Sequence, residues 1–302
     1  MNPIVLIFGL AVLSASALAA ELGDPELGAI AYDQAVKDLG TDLRLMCVAA
    51  HPDDEDGATL AYYRKKYGID TYALIATRGE GGQNEIGPEL YNELGVIRTH
   101  EMRRASQITG AKLHFLDMPE FGYSKSRDET YALWGEEETL RRMVRKIREI
   151  RPDVIITHHP PNTQHGHHQA VGDSLQRAFD MAADPKVFPE QIKEGLEPWQ
   201  ASRLYLRNFG GGGGSGAAAV VSISELDPAR GIPYARIAAN ALEEHESQGM
   251  GFFVERFLTS RASVTYYLVK EAPQAETSGL PAPGGNLFEG LEDRVEKEAR
   301  EL

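Results

Sequence analysis

The feature that most constrains this chain is a cluster of metal-binding residue types directly after an apolar, strand-like stretch. Residues 43–49 are mostly apolar and are followed at once by Ala50-His51-Pro52-Asp53-Asp54-Glu55. In open α/β sheets, ligands bind at the carboxyl ends of the strands. Imidazole nitrogens and carboxylate oxygens are also donors that a catalytic zinc ion accepts. The pattern therefore predicts a buried strand that ends at a metal site.

A second strand-like stretch, residues 154–157, precedes the most histidine-dense segment of the chain. Five of the nine histidines lie there, namely His158, His159, His165, His167 and His168. Because residues three apart share one face of a helix, His165 and His168 can point to the same side of the helix predicted from Gln169 onward. A histidine cluster alone is also typical of a solvated polar loop. Since both clusters follow strands, we predict that they are two halves of one metal site.

The residue types leave several ligand sets open. A catalytic zinc site usually keeps three protein ligands and one open position for water. The candidates are His51, one or both of Asp53 and Asp54, and histidines of the second cluster. Adjacent residues of an extended segment point in opposite directions, so the two aspartates cannot easily share one role. One can bind the metal while the other faces the water as a base. We interpret His158, His159 and His245 as supporting or surface residues.

Apolar, β-branched-rich runs alternate with helical patterns along the chain. Strands are predicted at 43–50, 71–77, 112–116 and 154–157, and helices at 58–67, 92–109, 129–150, 169–183 and 234–247. Such alternation implies parallel strand pairing with right-handed crossovers. We therefore predict an α/β fold in a single domain over residues 28–271. Its centre is a doubly wound, Rossmann-like, mostly parallel sheet flanked by helices.

The composition is that of a globular protein and restricts the class of partner. Of the 302 residues, 42% are hydrophobic and 25% are charged. The formal net charge of −14 argues against nucleic-acid binding, which depends on neutralising phosphates, and against docking to an anionic membrane. Neutral and cationic substrates remain open. The single cysteine, Cys47, lies within an apolar run and is predicted to be buried.

Both ends of the chain differ from its centre. Residues 1–20 combine an apolar run with the small residues Ala17-Leu18-Ala19-Ala20, the pattern of a cleaved secretory signal. A membrane anchor is the alternative, although the run is shorter than the ~20 residues that a spanning helix needs. We expect a periplasmic or secreted protein with no stable membrane insertion after cleavage. Residues 210–216 are predicted to be a flexible loop, and residues 272–302 a linker and an acidic tail.

Four motifs, in this order, resemble those of the PIG-L/LmbE-like family of zinc-dependent N-acetylglucosaminyl deacetylases. Residues 50–55 resemble the family signature. Residues 77–82 resemble the loop after its second strand, and residues 94–101 resemble its Arg-x-x-Glu helix. His165-Gly166-His167-His168 is similar to a second His-x-x-His motif that is often His-Pro-Asp-His. The resemblance covers residues 43–172.

The resemblance implies a role for each matching residue. It assigns one Zn²⁺ per chain to His51, Asp54 and His168, the general base to Asp53, and polarisation or protonation near the tetrahedral intermediate to His165. It also implies substrate contacts for Arg98, Glu80 and Glu120. Glu120 stands where related chains often carry Asp, and Gly166-His167 replaces Pro-Asp. Alternatives are a surface ion pair of Arg98 with Glu101 and a loop-fixing role for Glu80.

The implied activity is the release of acetate from an N-acetylated amino sugar or a glycoconjugate that carries one. An amidase that cleaves a larger acyl group from a sugar or thiol conjugate would use the same chemistry in a different pocket. A secreted module that binds sugar or metal without catalysis is the third possibility. The presence of both Asp53 and His165 argues against such a module, because metal binding alone requires neither residue.

Overall fold

A seven-stranded sheet forms the centre of the computed structural model, which describes residues 26–163, 165–208, 219–260, 262–273, 285–291 and 293. Its strands are β1 (Arg44–Ala49), β2 (Asp70–Ile75), β3 (Lys112–Phe115), β4 (Val154–Thr157), β5 (Arg203–Arg207), β6 (Ala219–Val221) and β9 (Val264–Glu271). They lie in the order β3-β2-β1-β4-β5-β9-β6. Strands β1 to β5 pair in parallel, and β9 runs antiparallel to β5 and β6. The predicted mostly parallel α/β fold is confirmed.

Helices cover both faces of this sheet. They are α1 (Gly28–Asp38), α2 (Gly57–Tyr67), α3 (Asn92–Thr109), α4 (Arg127–Trp134), α5 (Glu136–Ile150), α6 (Gly166–Met181), α7 (Pro189–Lys193), α8 (Tyr234–Glu243) and α9 (Val254–Ser260). Two 3₁₀ turns, Glu246–Gln248 and Met250–Phe253, separate α8 from α9, and a small hairpin pairs β7 (Leu226–Asp227) with β8 (Ile232–Pro233). Helix α2 begins at the buried Asp56, whose Oδ1 accepts a hydrogen bond from the Thr59 amide at 3.1 Å.

The prediction of one helix over 129–150 was wrong, because the segment forms α4 and α5. Gly135 separates the two helices with φ 76° and ψ 116°, a backbone conformation that interrupts helical hydrogen bonding. The helix predicted over 169–183 begins earlier, at Gly166, because the side chain of His165 caps its first turn. The helix predicted over 234–247 ends at Glu243, and a separate 3₁₀ turn begins at Glu246.

Strand β1 is buried on both faces, as expected of a parallel strand between two helical layers. Its odd-numbered residues, such as Leu45 and Cys47, pack in a core cluster with residues of α2 and α8. Its even-numbered residues, such as Met46 and Val48, pack in a second cluster with α5 and α6. The thiol of Cys47 is buried as predicted. The strand is therefore a rigid support for the loop that follows it.

The order in which the chain adds strands reverses at β1, and this creates a crevice at the carboxyl edge of the sheet. The chain proceeds from β1 to β2 on one side and later returns to β4 on the other side. The loops after β1 and β4 consequently diverge, which is the position at which open α/β sheets bind ligands. Both histidine-containing clusters predicted from the sequence follow these two strands. The topology thus brings them to the same edge.

Residues 285–291 belong to the domain, although they fall within the predicted linker and tail. Leu287 and Phe288 are buried in the first core cluster, and the Leu287 amide donates to the Tyr63 hydroxyl at 2.9 Å. The predicted signal, the loop at 210–216 and most of the predicted tail lie outside the described residues. Among the helices that are described, none combines the length and the apolar character needed to cross a bilayer.

Candidate metal centre

The turn after β1 sends His51 and Asp54 to one point. The Asp54 amide donates to the His51 carbonyl at 3.2 Å, and the His51 amide donates to Asp54 Oδ2 at 3.0 Å. Between them, Asp53 has φ 89°. A positive φ is uncommon for a residue with a side chain, and such strain is concentrated at functional sites. In this turn the Asp54 carboxylate contacts His51, which leaves the adjacent Asp53 available for a different role.

Three donor atoms converge in the crevice. His51 Nδ1 lies 3.0 Å from Asp54 Oδ2, and His168 Nε2 lies 3.2 Å from each of these two atoms. Ligands about 2.0–2.1 Å from a tetrahedral zinc ion are roughly 3.3 Å from one another. The nitrogen and oxygen donors therefore have the chemistry and spacing that a zinc ion requires. Their side chains are 15%, 17% and 22% exposed, so the point at which they converge is open to the crevice.

Two other donor groups lie beside this one in the described structure, Asp54 with His158 and His159, and His51 with His165 and His167. His159 Nε2 accepts a hydrogen bond from the Ala50 amide at 2.9 Å. Burial, followed by the neighbouring His158, holds the pKa of His159 well below its usual range. Its available lone pair is already used to join β4 to β1. His167 is fully buried. The set of His51, Asp54 and His168 is thus the most accessible of the three.

Glu120 lies behind His51 and fixes its ring. Glu120 Oε2 is 3.2 Å from His51 Nε2, accepts from Thr77 Oγ1 at 3.0 Å, and is 3.5 Å from His167 Nδ1. Burial opposes ionisation of Glu120, but hydrogen bonds from His167 and His51 hold its pKa well below the usual range. A carboxylate on the far nitrogen of a ligating histidine orients the ring and increases its basicity. Against burial, Asp54 and Glu120 raise the pKa of His51 to about 10.

The segment after α8 supports the loop that carries Asp53. The Asp53 amide donates to Glu55 Oε2 at 3.1 Å, and Glu55 Oε1 is 3.4 Å from Nε2 of the buried His245. Gln248 Nε2 donates to the Pro52 carbonyl at 2.7 Å. Burial, and then the nearby Asp54 carboxylate, raise the pKa of Asp53. His245, which we interpreted as a supporting or surface residue, thus contacts Glu55 inside the protein.

Arg98 braces the glycine-rich loop after β2, residues 78–82, from inside the protein. Its guanidinium donates to the Gly79 carbonyl at 2.8 Å and to the Gln83 carbonyl at 2.6 Å. A Cβ atom at Gly79 or Gly82 would lie 2.6 Å from that guanidinium, which explains the glycines. The alternative of a surface ion pair with Glu101 was wrong. Arg98 and Glu101 are both buried, and Glu101 accepts from the amide and hydroxyl of Ser247.

Glu80 connects the glycine-rich loop to Glu120. Its Oε2 accepts from the Arg78 amide at 3.0 Å, and its Oε1 accepts from the Glu120 amide at 3.5 Å. These bonds support the loop-fixing alternative for Glu80. The implied substrate contacts of Arg98, Glu80 and Glu120 stay predictions, while each residue has a clear position in the wall of the site.

His165 lies at the start of α6 and has a defined tautomer. Its Nδ1 accepts the backbone hydrogen bond of His167 at 3.1 Å, so a neutral ring carries its proton on Nε2. Burial, followed by the neighbouring His51 and His168, lowers the pKa of His165 to about 4. The ring centroids of His165 and His51 are 5.1 Å apart. His165 is thus a neutral hydrogen-bond donor next to the candidate metal ligands.

The contacts of Gly166 and His167 explain why these two residues suit their positions in this fold. The Gly166 amide donates to the Ser124 carbonyl at 2.7 Å, a bond that a proline could not make. A Cβ atom at Gly166 would lie 2.2 Å from Ser124 Oγ. His167 packs between Trp134 and Phe121, with ring centroids 4.9 and 4.5 Å away. The pair therefore allows α6 to pack closely against the turn that follows β3.

Comparison with known proteins gives the family. The family model described as PIG-L, GlcNAc-PI de-N-acetylase, matches residues 46–179, a region that contains all eight predicted site residues. The chain is also 27% identical to a 1D-myo-inositol 2-acetamido-2-deoxy-alpha-D-glucopyranoside deacetylase from Streptomyces scabiei, over 85% of this chain and 87% of that relative. Residues 46–179 therefore form a PIG-L family domain.

Two further comparisons describe relatives of this domain. It is 32% identical to a mycothiol S-conjugate amidase from Streptomyces coelicolor, over 49% of this chain and 55% of that relative. The N,N'-diacetylchitobiose deacetylase of Pyrococcus horikoshii has the same fold, with a TM-score of 0.56, 17% identity and coverage of 82% of this chain and 94% of that one. The predicted family and the predicted class, a metal-dependent hydrolase of amide bonds, are confirmed.

Glu120 is predicted to control metal affinity at this candidate site. We expect Glu120→Gln to weaken zinc binding by about 10- to 100-fold, because loss of the supporting carboxylate releases the His51 ring. Competition with a chromophoric chelator measures the affinity. Asp117→Asn is the matched control, since this neighbouring carboxylate pairs with Arg78 on the surface at 2.7 Å. Equal zinc affinities of wild type and Glu120→Gln would show that Glu120 does not orient a ligand.

Proposed function

We propose that this protein removes the N-acetyl group from an N-acetylated amino sugar, or from a glycoconjugate carrying one, by zinc-dependent hydrolysis. The observation that carries the proposal is the convergence of His51 Nδ1, Asp54 Oδ2 and His168 Nε2 within 3.2 Å of one another. Asp53 lies in the same turn as His51 and Asp54, and the His165 ring lies 5.1 Å from that of His51. Asp53 can accept a proton, whereas the neutral His165 can donate a hydrogen bond. The Streptomyces scabiei relative is named as a deacetylase of such a sugar derivative, and this supports the same substrate class here.

A zinc ion bound by these three residues would polarise the amide carbonyl and lower the pKa of a bound water molecule to around 7. Asp53 then accepts the proton of the attacking water, a role for which its raised pKa is suited. His165 donates its Nε2 proton in a hydrogen bond to the developing oxyanion. Since His165 is neutral, the leaving amine takes its proton from Asp53. Acetate and the free amine are the products.

An acetate-release assay tests the proposal directly. The purified, zinc-loaded protein is incubated with N-acetylglucosamine, N,N'-diacetylchitobiose and an N-acetylglucosaminyl inositol. We expect acetate and a free amine from at least one of these sugars, loss of release after chelation, and recovery on readdition of zinc. Asp53→Asn is the control for contaminating activity. Chelator-resistant release, or no release from any N-acetylated sugar, would contradict the proposed activity.

Hydrolysis of a larger acyl group is the second candidate function, and the similarity to a mycothiol S-conjugate amidase supports it. The metal ligands and the base would be the same, and only the space around the acyl group would differ. Including an N-acylated thiol conjugate of glucosaminyl inositol in the assay separates the two candidates. A larger kcat/KM for that conjugate than for every N-acetylated sugar would favour the amidase.

We also propose that the protein acts in the periplasm or outside the cell. The support is the apolar run and small-residue site of residues 1–20. Mass spectrometry of the exported protein should then find a mature chain that starts at Ala20 or Glu21. A chain that keeps Met1 and is recovered with the membrane fraction would instead indicate an anchor.

His165 is predicted to act on the transition state rather than on substrate binding. We expect His165→Ala to keep its metal and to lower kcat by about 10²–10³-fold with little change in KM, because the oxyanion forms only after attack. Since the pKa of His165 is about 4, its contribution should be constant from pH 6 to pH 9. Steady-state kinetics of wild type and variant across this range measure both effects. A large loss of zinc in His165→Ala would make His165 a ligand instead.

A further inference from the structure

Tyr123 presents an exposed aromatic ring directly beside the catalytic histidine. Its side chain is 65% exposed, and its ring centroid is 5.0 Å from that of His165 at an interplanar angle of 70°. Large aromatic side chains usually bury much of their surface, so a ring left in solvent beside a reaction centre requires an explanation. Other strongly exposed rings, such as Tyr32 and Phe252, make no ring contact with a site histidine in the described part of the chain.

The turn that carries Tyr123 is fixed on both sides. The Gly122 amide donates to Glu120 Oε1 at 2.7 Å, which ties the turn to the carboxylate behind His51. Ser124 is buried, its Oγ bonds Thr130 Oγ1 at 2.8 Å, and its carbonyl accepts from the Gly166 amide. Gly122 has φ 86°, which favours glycine. The ring is thus held in place by backbone that is tied to the two halves of the metal centre.

We propose that Tyr123 is a stacking platform for the pyranose ring of the substrate and determines its specificity for sugars. The proposal rests on the proposed function. In an N-acetylated amino sugar, the carbonyl carbon is only about 2.5 Å from the ring carbon that bears the nitrogen. A carbonyl placed at His165 therefore brings the pyranose next to Tyr123. The flat apolar face of a sugar can then cover the exposed ring, and the pair is removed from water together.

The aromatic ring of Tyr123 would bind the sugar, and its hydroxyl group would not be needed. A stacked ring contributes through its face, so phenylalanine should replace tyrosine and alanine should not. The contribution also requires a pyranose, and an acyclic amide lacks the surface that stacks. These two consequences distinguish a sugar platform from a residue that only supports His165.

Two measurements on the zinc-loaded full chain test the platform, with N-acetylglucosamine and N-acetylethanolamine as probes. Calorimetry gives the affinity for N-acetylglucosamine, and steady-state kinetics give the ratio of kcat/KM for the sugar to that for the acyclic amide. We expect Tyr123→Ala to lower both the sugar affinity and this ratio by about 5- to 10-fold. Tyr123→Phe should restore both quantities. Tyr32→Ala is the matched control, because Tyr32 is an exposed tyrosine on a different element, helix α1. Helix α1 packs near the C-terminal end of α2, where Gln34 donates to the Arg64 carbonyl.

Equal losses for both probes in Tyr123→Ala, or a Tyr123→Phe variant as weak as Tyr123→Ala, would overturn the platform. So would a wild-type protein that does not bind N-acetylglucosamine. The platform and the proposed function can fail separately. A wild-type protein that binds the sugar but releases no acetate contradicts the function, while the calorimetric comparison of Tyr123→Ala with Tyr123→Phe still decides the platform.

Discussion

Replacement of Asp53 by Asn is expected to leave the zinc content of the protein unchanged and to lower kcat by about 10²–10⁴-fold. The amide of Asn has nearly the shape of the carboxylate but cannot accept the proton of the attacking water. The substitution also suits the backbone, because Asn tolerates the positive φ of this position better than most residues. The hydrogen bond to Glu55 uses the backbone amide of residue 53 and is kept.

Two measurements decide this prediction for Asp53. Elemental analysis reports zinc per chain, and acetate release under saturating substrate reports kcat. The companion substitution Asp54→Asn should give the opposite result, because it removes a charged oxygen that lies 3.0–3.2 Å from the other two donors. We expect Asp54→Asn to lose the metal. An Asp53→Asn protein that has lost its zinc, or that turns over at the wild-type rate, would refute the division of labour between the two aspartates.

The sequence predicts the core of the site because the decisive signals are local. His51 and Asp54 directly follow β1, and His165 and His168 follow β4, so strand ends and short spacings place them without knowledge of the whole fold. The strand-helix alternation likewise predicts a parallel sheet, whose topology then brings the two clusters together. The order of the motifs along the chain predicted the family, and the match to the family model confirmed that prediction.

The contacts that support the site depend on distant parts of the chain and could not be predicted in this way. His245 reaches Glu55 across 190 positions, and Gln248 reaches Pro52 across 196. Neither the charge nor the local pattern of these residues indicates a partner. Gly135 illustrates the same limit at the level of helices. Isolated glycines occur within helices, and only the packing of α4 and α5 shows that this one separates two of them.

His167 lies at a position where the second histidine motif of this chain departs from the family pattern. Where related chains often have an acidic residue near His165, this chain has the buried His167, whose Nδ1 lies 3.5 Å from Glu120. The carboxylate beside His167 belongs to the turn after β3. Glu120 is one methylene longer than the Asp often found there, and it contacts both His51 and His167. Glu120 and His167, two positions at which the chain departs from the motifs it resembles, therefore contact each other.

Loss of His168 should remove the metal and abolish activity. We expect His168→Ala to fall from about one zinc ion per chain to near zero after dialysis, since only two of three ligands remain. Its kcat should fall at least as far as that of Asp53→Asn. His168 is 22% exposed, so truncation at the crevice should preserve the fold, and circular dichroism of the variant should match that of chelator-treated wild type.

The matched control for His168 is His158→Ala, which removes a histidine near the other carboxylate oxygen of Asp54. His158 Nε2 lies 3.6 Å from Asp54 Oδ1, whereas His168 Nε2 lies 3.2 Å from Asp54 Oδ2 and from His51 Nδ1. If His51, Asp54 and His168 hold the ion, His158→Ala keeps its zinc. If Asp54, His158 and His159 hold it instead, the two variants exchange their results. Zinc analysis of this pair therefore identifies which of two adjacent donor groups is the metal site, independently of any assay of activity.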